Sequence, residues 1–316
     1  MYKITVFTAT YNRANLLPKL YKSLKNQTNK HFEWLIVDDD STDSTEKLVN
    51  RWIKEEKCFE IRYIKQNHGG KHRALNKGFF EAKGEYFFIV DSDDYLLNDA
   101  IETIYSWIEQ IDKSNERLAG ISGLRVYENG EINGGVPKVN SNGWIDADCF
   151  SREKYNLGGD KAEVFRTDIL RTHLFPEFEG EFFVTEDVCW NSIYKDKYKL
   201  RWFNKAIYVC EYLEDGLTRT GMNEISGHIN NYNGYCYYVK QCIDLFGIMN
   251  RPRVFNSFIK VARNKNRNFS NMAIDLNMSK IELLSKCILL PFAFGKSAIK
   301  ILKKEGLEGI KRRITN

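Results

Sequence analysis

The run Phe87-Phe88-Ile89-Val90-Asp91-Ser92-Asp93-Asp94 sets three carboxylates directly behind a nearly all-apolar stretch. The stretch reads as a buried strand, and in an open α/β sheet the residues just past the carboxyl ends of the strands face the ligand crevice. Acids this close repel one another unless a cation shares them. The pattern therefore fits a hard divalent cation on one carboxylate and a ribose hydroxyl on another. Helix capping is the rival reading, since a helix opens near Asn98, but a cap uses one such residue rather than three. An EF-hand is excluded: Asp91, Asp93, Asp99 and Glu102 keep the loop spacing, yet Tyr95 replaces a ligand and Leu96 stands where the turn needs glycine.

A second acidic group, Asp38-Asp39-Asp40-Ser41-Thr42-Asp43, follows another apolar run. It suits phosphates poorly but can accept hydrogen bonds from a ribose or from a base such as uracil, whose N3–H is a donor. Ser41 or Asp43 also caps the helix expected over Thr45 to Ile53, and both readings hold together. Gln66-Asn67-His68-Gly69-Gly70-Lys71-His72-Arg73 is glycine-bearing and cationic, so its backbone N–H groups and Lys71 suit a diphosphate, with His68 and His72 read equally well as solvated loop residues. No G-x-G-x-x-G follows the first strand and no G-x-x-x-x-G-K-[ST] occurs, which disfavours nicotinamide cofactors and P-loop ATP hydrolysis. Further on, Thr185-Glu186-Asp187 precedes Val188, Trp190, Ile193 and Tyr194 at helical spacing. An acid at a helix N-terminus is held ionised by the dipole, which suits a general base, although first-turn acids are also ordinary helix residues.

The elements that must position these groups are legible in outline. Strands are expected at Ile4 to Thr8, Phe32 to Val37, Ile61 to Ile64 and Tyr86 to Val90, with helices over Leu16 to Leu24, Thr45 to Ile53 and Ala74 to Phe80 between them. This is a doubly wound α/β start. Beyond Asn115 the pattern gives a strand at Leu118 to Tyr127, a loop-rich stretch to Gly159, a helix from Thr185, a strand pair over Leu200 to Tyr212, and helices from about Met222. With 316 residues, 43% hydrophobic and 28% charged, the chain has the material for one or two globular domains. Seven scattered cysteines without a C-x-x-C pair give neither a disulfide framework nor a zinc site, and the N-terminus lacks a secretory leader; a cytoplasmic protein with reduced thiols is expected. The net charge of +5 is uneven, since residues 251 to 316 hold fifteen Lys and Arg against four Asp and Glu. A basic tail on an acidic body reads as a segment for an anionic surface.

Taken in order, Val6-Phe7-Thr8-Ala9-Thr10-Tyr11-Asn12-Arg13, Ile36-Val37 with the Asp38 cluster, Asn76-Lys77-Gly78 with Ala82-Lys83-Gly84-Glu85-Tyr86, and Val90-Asp91-Ser92-Asp93-Asp94 resemble a family 2 glycosyltransferase of the GT-A fold, bacterial surface-polysaccharide type, over roughly residues 1 to 215. The resemblance implies a Rossmann-like α/β sheet, mixed and mostly parallel, flanked by helices and followed by a C-terminal helical extension. Residues 1 to 115 would form a nucleotide-sugar half, 116 to 215 an acceptor half, and 216 to 316 a helical, basic region. It further implies an inverting transferase that uses a nucleotide-sugar donor, usually a UDP-sugar, with Mn²⁺ or Mg²⁺, and a glycan or lipid-linked acceptor. By the same resemblance Thr8 and Tyr11 flank the base, Asp39 bonds uracil, Asp91 contacts the ribose beside Ser92, Lys71 joins the donor set, Asp93 binds the metal and Asp187 is the base. The family often has Gly where this chain has Asp40, and Arg where it has Leu75. Arg219 is a candidate for the leaving diphosphate, and Gly158-Gly159-Asp160-Lys161 for the acceptor side.

Two rivals remain at this level. A nucleotidyltransferase would need a glycine- and arginine-rich phosphate loop that Thr8 to Arg13 does not supply, and a non-catalytic sugar- or membrane-binding adaptor would have no use for intact Asp91, Asp93 and Asp187. In the tail, Ile281 to Leu290 is interrupted by Lys286 and followed by Pro291, too short and broken to span a bilayer. Lys296, Lys300, Lys303 and Lys304 share one helical face with Ala298, Ile299, Ile301 and Leu302 largely on the other. That pattern fits either an amphipathic helix at the inner face of an anionic membrane or a helix packed on the protein, and no basic motif interleaved with aromatics points to nucleic acid.

Overall fold

The computed structural model describes residues 3–111, 117–211 and 225–314, without the side chains of 149, 297, 298 and 300–314. The chain divides into a sheet unit, Met1–Glu177 with Cys189–Gly216, and a helical unit, Phe178–Val188 with Leu217–Asn316. The short segment Phe178–Val188, which holds Asp187, thus groups with the helical unit, whereas the sequence reading places everything up to residue 215 together.

The sheet unit runs β1 (Ile4–Thr10), α1 (Leu17–Lys25), β2 (Phe32–Asp38), α2 (Thr45–Glu55), β3 (Glu60–Lys65), α3 (Lys71–Glu81), β4 (Tyr86–Ile89), β5 (Tyr95–Leu96), α4 (Ala100–Glu109), β6 (Leu118–Tyr127), β7 (Trp144–Ala147), β8 (Lys161–Arg166), α5 (Thr167–Leu170), α6 (Asp187–Lys195) and β9 (Lys199–Cys210). Among the described residues nine strands form one sheet in the order β3-β2-β1-β4-β8-β6-β9-β5, with β7 pairing to β9. The pairs β3·β2, β2·β1, β1·β4 and β6·β9 are parallel, whereas β4·β8, β8·β6, β9·β5 and β9·β7 are antiparallel. Strand β2 is buried at every residue, as expected for a strand covered on both faces. The helices supply the cover. In α1 the residues Leu17, Leu20 and Leu24 are buried at three- and four-residue spacing, and Tyr21 stacks on Trp52 of α2 at 4.4 Å between ring centroids. Each such large apolar side chain, once buried, contributes about 1.5–3 kcal/mol. Gly78 lets α3 lie directly on β1, because a Cβ there would stand 2.3 Å from the Phe7 ring.

One carboxylate lies inside this core. Glu33 on β2 accepts from Thr5 Oγ1 and from Lys83 N at 2.6 Å each, and pairs with Arg62 at 3.2 Å. It ties the start of β1 to the α3–β4 turn, away from the crevice edge.

Several boundaries differ from the sequence reading, for local reasons. Helix α3 begins at Lys71 rather than Ala74, so the end of the cationic loop is its first turn. The pair expected over Leu200 to Tyr212 is the single twelve-residue strand β9, with Tyr212 outside the described residues. Strands β7 and β8 went unforeseen; β8 carries Lys161 buried at its start, which breaks the apolar pattern.

The helical unit contains α7 (Ile225–Asn230), α8 (Tyr232–Phe246), α9 (Pro252–Asn264), α10 (Phe269–Asp275) and α11 (Lys280–Ile314). Val239, Phe255, Phe258, Val261, Leu276 and Leu283 form its core. Helix α11 continues through Pro291 instead of ending there. A proline inside a helix costs about 3 kcal/mol, but Leu283 before it and Ala293 after it are both buried, which anchors the helix on either side.

Candidate active site

The ends of β1, β2 and β4 stand side by side, with Thr10 opposite Asp38 and Phe7 opposite Ile89. Beyond β1 the chain turns at Asn12, whose Oδ1 accepts from Thr42 N at 2.8 Å while its own N–H donates to Ser41 Oγ at 2.8 Å. Ala14 N donates to Asp43 Oδ2 and Thr45 N to Asp43 Oδ1, at 3.0 and 2.9 Å. Asn12, Ser41 and Asp43 therefore clasp the first two loops together. Asp38 is fully buried and accepts from Ser41 N and from the Tyr63 hydroxyl. Asp40 adopts φ 72°, the left-handed region where glycine is least strained, which explains why the resembling family often has Gly here.

Of the second acidic group, Asp39 faces the glycine loop. Its Oδ1 accepts from Gly69 N and Gln66 Nε2, its Oδ2 accepts from Gly70 N, each at 2.8 Å, and His68 Nδ1 lies 2.9 Å from Oδ2. The His68 ring stacks on Tyr11 at 4.5 Å, and both side chains are open to solvent. Thr8 lies elsewhere. It is fully buried, its hydroxyl donates to Val90 O at 2.9 Å and accepts from the Trp34 indole at 3.0 Å. It supports the end of β4 from inside the sheet rather than flanking a ligand.

The carboxylates after β4 sit in unequal surroundings. Lys71 Nζ donates to Asp91 Oδ1 at 2.6 Å, and Arg125 Nη1 is 3.9 Å from Oδ2. Burial would push the Asp91 carboxyl up, but these two cations outweigh it and hold the group below the usual carboxylate range. Asp93 has no such balance: burial and the neighbouring Asp91 charge raise it. Asp94 is pushed up to about 7 by burial and by Asp91, against the bonds it accepts from the Tyr208 hydroxyl at 2.6 Å and Glu211 N at 2.8 Å. The same Tyr208 oxygen accepts from Asp91 N at 3.1 Å, and the Arg125 guanidinium lies 4.2 Å from the Tyr208 ring centre. Ser92 is buried between these acids. Among the described residues no three Asp, Glu, His or Cys side chains converge on a metal position. The under-compensated charge at Asp93 still fits a cation, provided that phosphate oxygens and water complete its shell, as is usual for Mg²⁺-like ions.

Sequence reading missed Arg125 and Tyr208, which come from β6 and β9. An arginine inside the strand Leu118–Tyr127 was the available signal. Other residues singled out in the sequence make structural contacts. Leu75 is fully buried, so it leaves no side chain at the crevice, and Asn76 clamps Phe175 through both its amide atoms at 2.9 and 3.0 Å. Gly159 packs on Gly134, and Lys161 Nζ donates to Asn133 O and Gly158 O at 2.8 and 2.6 Å, so Gly159 and Lys161 lock two loops together. Arg219 lies outside the described residues.

His72, in the first turn of α3, is 2% exposed, and neither ring nitrogen has a hydrogen-bond partner among the described residues. Burial, then the Arg73 charge, push its imidazole down to about 4, against the pull of Glu177 and Asp39. Because the folded value lies below the ordinary 6.5, the neutral form is the stable one. Its contribution is complete above 6.5 and is lost as pH falls towards and through 4. Thermal unfolding followed across this range is expected to show a shallower acid loss in His72→Leu than in the wild type; identical slopes would remove His72 from the acid response.

Asp187 is the first residue of α6, and it and Val188 group with the helical unit while the rest of the helix groups with the sheet unit. The segment before it is held by α8: Glu181 accepts from Asn233 N and Gly234 N at 2.7 and 2.8 Å, and Asn231 Oδ1 accepts from Phe182 N and Phe183 N at 2.9 Å each. Gln241 Nε2 donates to Val188 O at 2.9 Å. Asp187 lines a cavity of about 440 Å³ with Thr185, Tyr235, Tyr238, Arg253 and Ser257. The volume lies within the roughly 300–1,000 Å³ of small-ligand pockets.

An acidic crest after β4, a glycine-bearing loop held on Asp39 and this strand order are joined by a direct sequence match: residues 5–137 fit the profile of Glycosyl transferase family 2. Residues 5–137 are a glycosyl transferase family 2 domain. Part of the chain is similar to the GalNAc(5)-diNAcBac-PP-undecaprenol beta-1,3-glucosyltransferase of Campylobacter jejuni, 32% identical over 202 residues, which cover 62% of this chain and 61% of that protein. The matches to the first three curated relatives span 61%, 36% and 15% of their own lengths. Among solved structures, S. aureus TarS 1–349 in complex with UDP superposes with a TM-score of 0.56 at 20% identity, covering 93% of this chain and 87% of that one. The mannosyltransferase PcManGT of Pyrobaculum calidifontis, in complex with GDP-Man and Mn²⁺, gives 0.53 at 16% identity over 96% and 88%. These two likenesses carry the GT-A fold, to which the nine-stranded sheet of the sheet unit and its flanking helices correspond.

Proposed function

We propose that this chain moves a sugar from a UDP-sugar to a hydroxyl of a glycan or lipid-linked acceptor, with inversion at the anomeric carbon. The observation that carries the reading is the inequality at the crest: within a family 2 domain, Asp91 is paired with Lys71 at 2.6 Å and held low, while burial and the Asp91 charge push Asp93 up. A site for a ribose beside a cation-bridged diphosphate needs that difference. The base lies against the exposed Tyr11–His68 stack. Uracil N3–H takes the place of the Gln66 amide on Asp39, because Gln66 is the side-chain partner while Gly69 and Gly70 donate from the backbone. Asp91 and Ser92 meet the ribose, and Lys71 faces the diphosphate.

Asp93 would hold Mn²⁺ or Mg²⁺ together with diphosphate oxygens, and the ion when bound neutralises charge on the leaving group. Asp187 takes the proton of the acceptor hydroxyl. As that oxygen bonds to the anomeric carbon, the bond from this carbon to the diphosphate oxygen breaks and its electron pair leaves with UDP, so an α-linked donor gives a β-linked product. Tyr235 and Tyr238 offer flat faces to a sugar ring beside Asp187. The UDP and the GDP-Man with Mn²⁺ held by the two structural neighbours support the donor class, and the undecaprenol-linked substrate in the Campylobacter enzyme's name supports a lipid-linked acceptor. Such an acceptor would place the reaction in the cytoplasm at the inner membrane face.

The test is release of the nucleoside diphosphate. The full chain, incubated with Mn²⁺ and a panel of UDP- and GDP-sugars in the presence of candidate acceptors, is expected to liberate UDP from one UDP-sugar and to stop when a chelator is added. In a parallel mixture of UTP and a sugar 1-phosphate, pyrophosphate formation without any UDP release from the UDP-sugars would make the enzyme a nucleotidyltransferase, and no release in either mixture would favour the adaptor reading.

A further inference from the structure

We propose that the outward face of α11 docks on an anionic lipid bilayer. Ile281, Leu284, Ile288, Phe292 and Ile299 recur at spacings of three, four, four and seven residues, which places them on one stripe of the helix. All five are open to solvent, Ile281 at 82%, Phe292 at 68% and the others above half. The opposite side of the same helix is buried, with Leu283 in the core of its own unit and Ala293 fully enclosed. A continuous row of large apolar side chains facing water marks an interaction surface rather than ordinary surface composition. No helix of the described residues is long and apolar enough to cross a membrane, so the stripe is suited to lying on a bilayer and not to spanning it.

Charge selects the occupant. Residues 251 to 316 carry fifteen Lys and Arg against four Asp and Glu, and Lys280 and Lys296 stand exposed on α11 itself. One of the four acids, Asp275, is already paired to Arg267 at 2.5 Å. An apolar stripe in a cationic segment suits anionic lipid headgroups, each Lys or Arg near such a surface contributing about 1 kcal/mol. A second copy of the chain would bring the same excess of positive charge against itself. The docking face therefore differs from the lysine face expected over Lys296, Lys300, Lys303 and Lys304. The last three of those side chains lie outside the described residues, and the contact is carried by the apolar row that begins at Ile281.

The experiment is co-sedimentation of the full chain with vesicles, with no donor or acceptor present, so that its outcome is independent of the transferase reading. Wild type is expected to pellet with phosphatidylcholine vesicles containing about a quarter phosphatidylglycerol, and to pellet far less with phosphatidylcholine alone or at high salt. The variant Ile281→Ser, Leu284→Ser, Ile288→Ser, Phe292→Ser changes only exposed side chains and is expected to lower the bound fraction roughly tenfold with an unchanged circular dichroism spectrum. The pair Lys280→Glu, Lys296→Glu should weaken binding to the anionic vesicles alone. Equal pelleting of the wild type and the quadruple variant would overturn the proposal. So would a concentration-dependent dimer, seen by light scattering, that the quadruple variant abolishes while wild type ignores vesicles.

Discussion

Asp93→Asn is expected to reduce kcat for sugar transfer on the order of 10³-fold while leaving the protein folded. The carboxylate is half-buried, and burial together with the Asp91 charge raises its pKa, a penalty on the ionised form that a bound cation would remove. An amide of the same shape keeps the packing and ends the repulsion with Asp91. The unfolding midpoint should therefore stay level or rise. Catalysis should collapse, because charge neutralisation at a leaving phosphate supplies several kcal/mol of transition-state stabilisation, and each 1.4 kcal/mol is about tenfold in rate. UDP release by the variant at the wild-type rate, in saturating donor, would take the metal and diphosphate role away from Asp93.

Asp187→Asn should act on a different step. The residue opens α6 and lines the 440 Å³ cavity of the helical unit, whereas the Asp39 loop and the Asp91–Lys71 pair belong to the sheet unit. Loss of a general base removes about 10²- to 10⁴-fold in rate. The fall should appear in kcat with the donor KM within a few-fold of wild type, since the amide keeps the helix-terminal geometry but accepts no proton. A large rise in donor KM with near-normal kcat would make Asp187 a structural residue that holds the Thr185 turn, to which Val188 N donates at 3.1 Å.

The parts of this site legible in the sequence are those whose pattern is local. An apolar run followed at once by acids reports a strand ending at a crevice, which is why Asp39, Asp91 and Asp93 were read correctly as lying beyond β2 and β4. Glycines followed by a lysine report a turn into a helix, although the helix starts three residues earlier than its apolar spacing suggests. Arg125 and Tyr208 were hidden because they reach the Asp91–Asp94 turn only through strand order. Strand β6 lies two places from β4 across an antiparallel β8, and β9 lies beyond it. No spacing in the chain encodes that adjacency. Thr8 was misplaced because β1 is buried on both faces, so the alternation that would separate crevice from core is absent there. The grouping of Asp187 with the helical unit rests on Glu181 and Asn231 gripping across about fifty residues of chain, again a contact without a local signature.

The most direct test of the account is calorimetric titration of UDP into the full chain with Mn²⁺, repeated with a chelator, with GDP, and with Asp93→Asn. The account predicts saturable binding of one UDP per chain that the chelator and Asp93→Asn both weaken strongly, with GDP binding less well. Absence of UDP binding, or binding indifferent to both the chelator and the substitution, would contradict it.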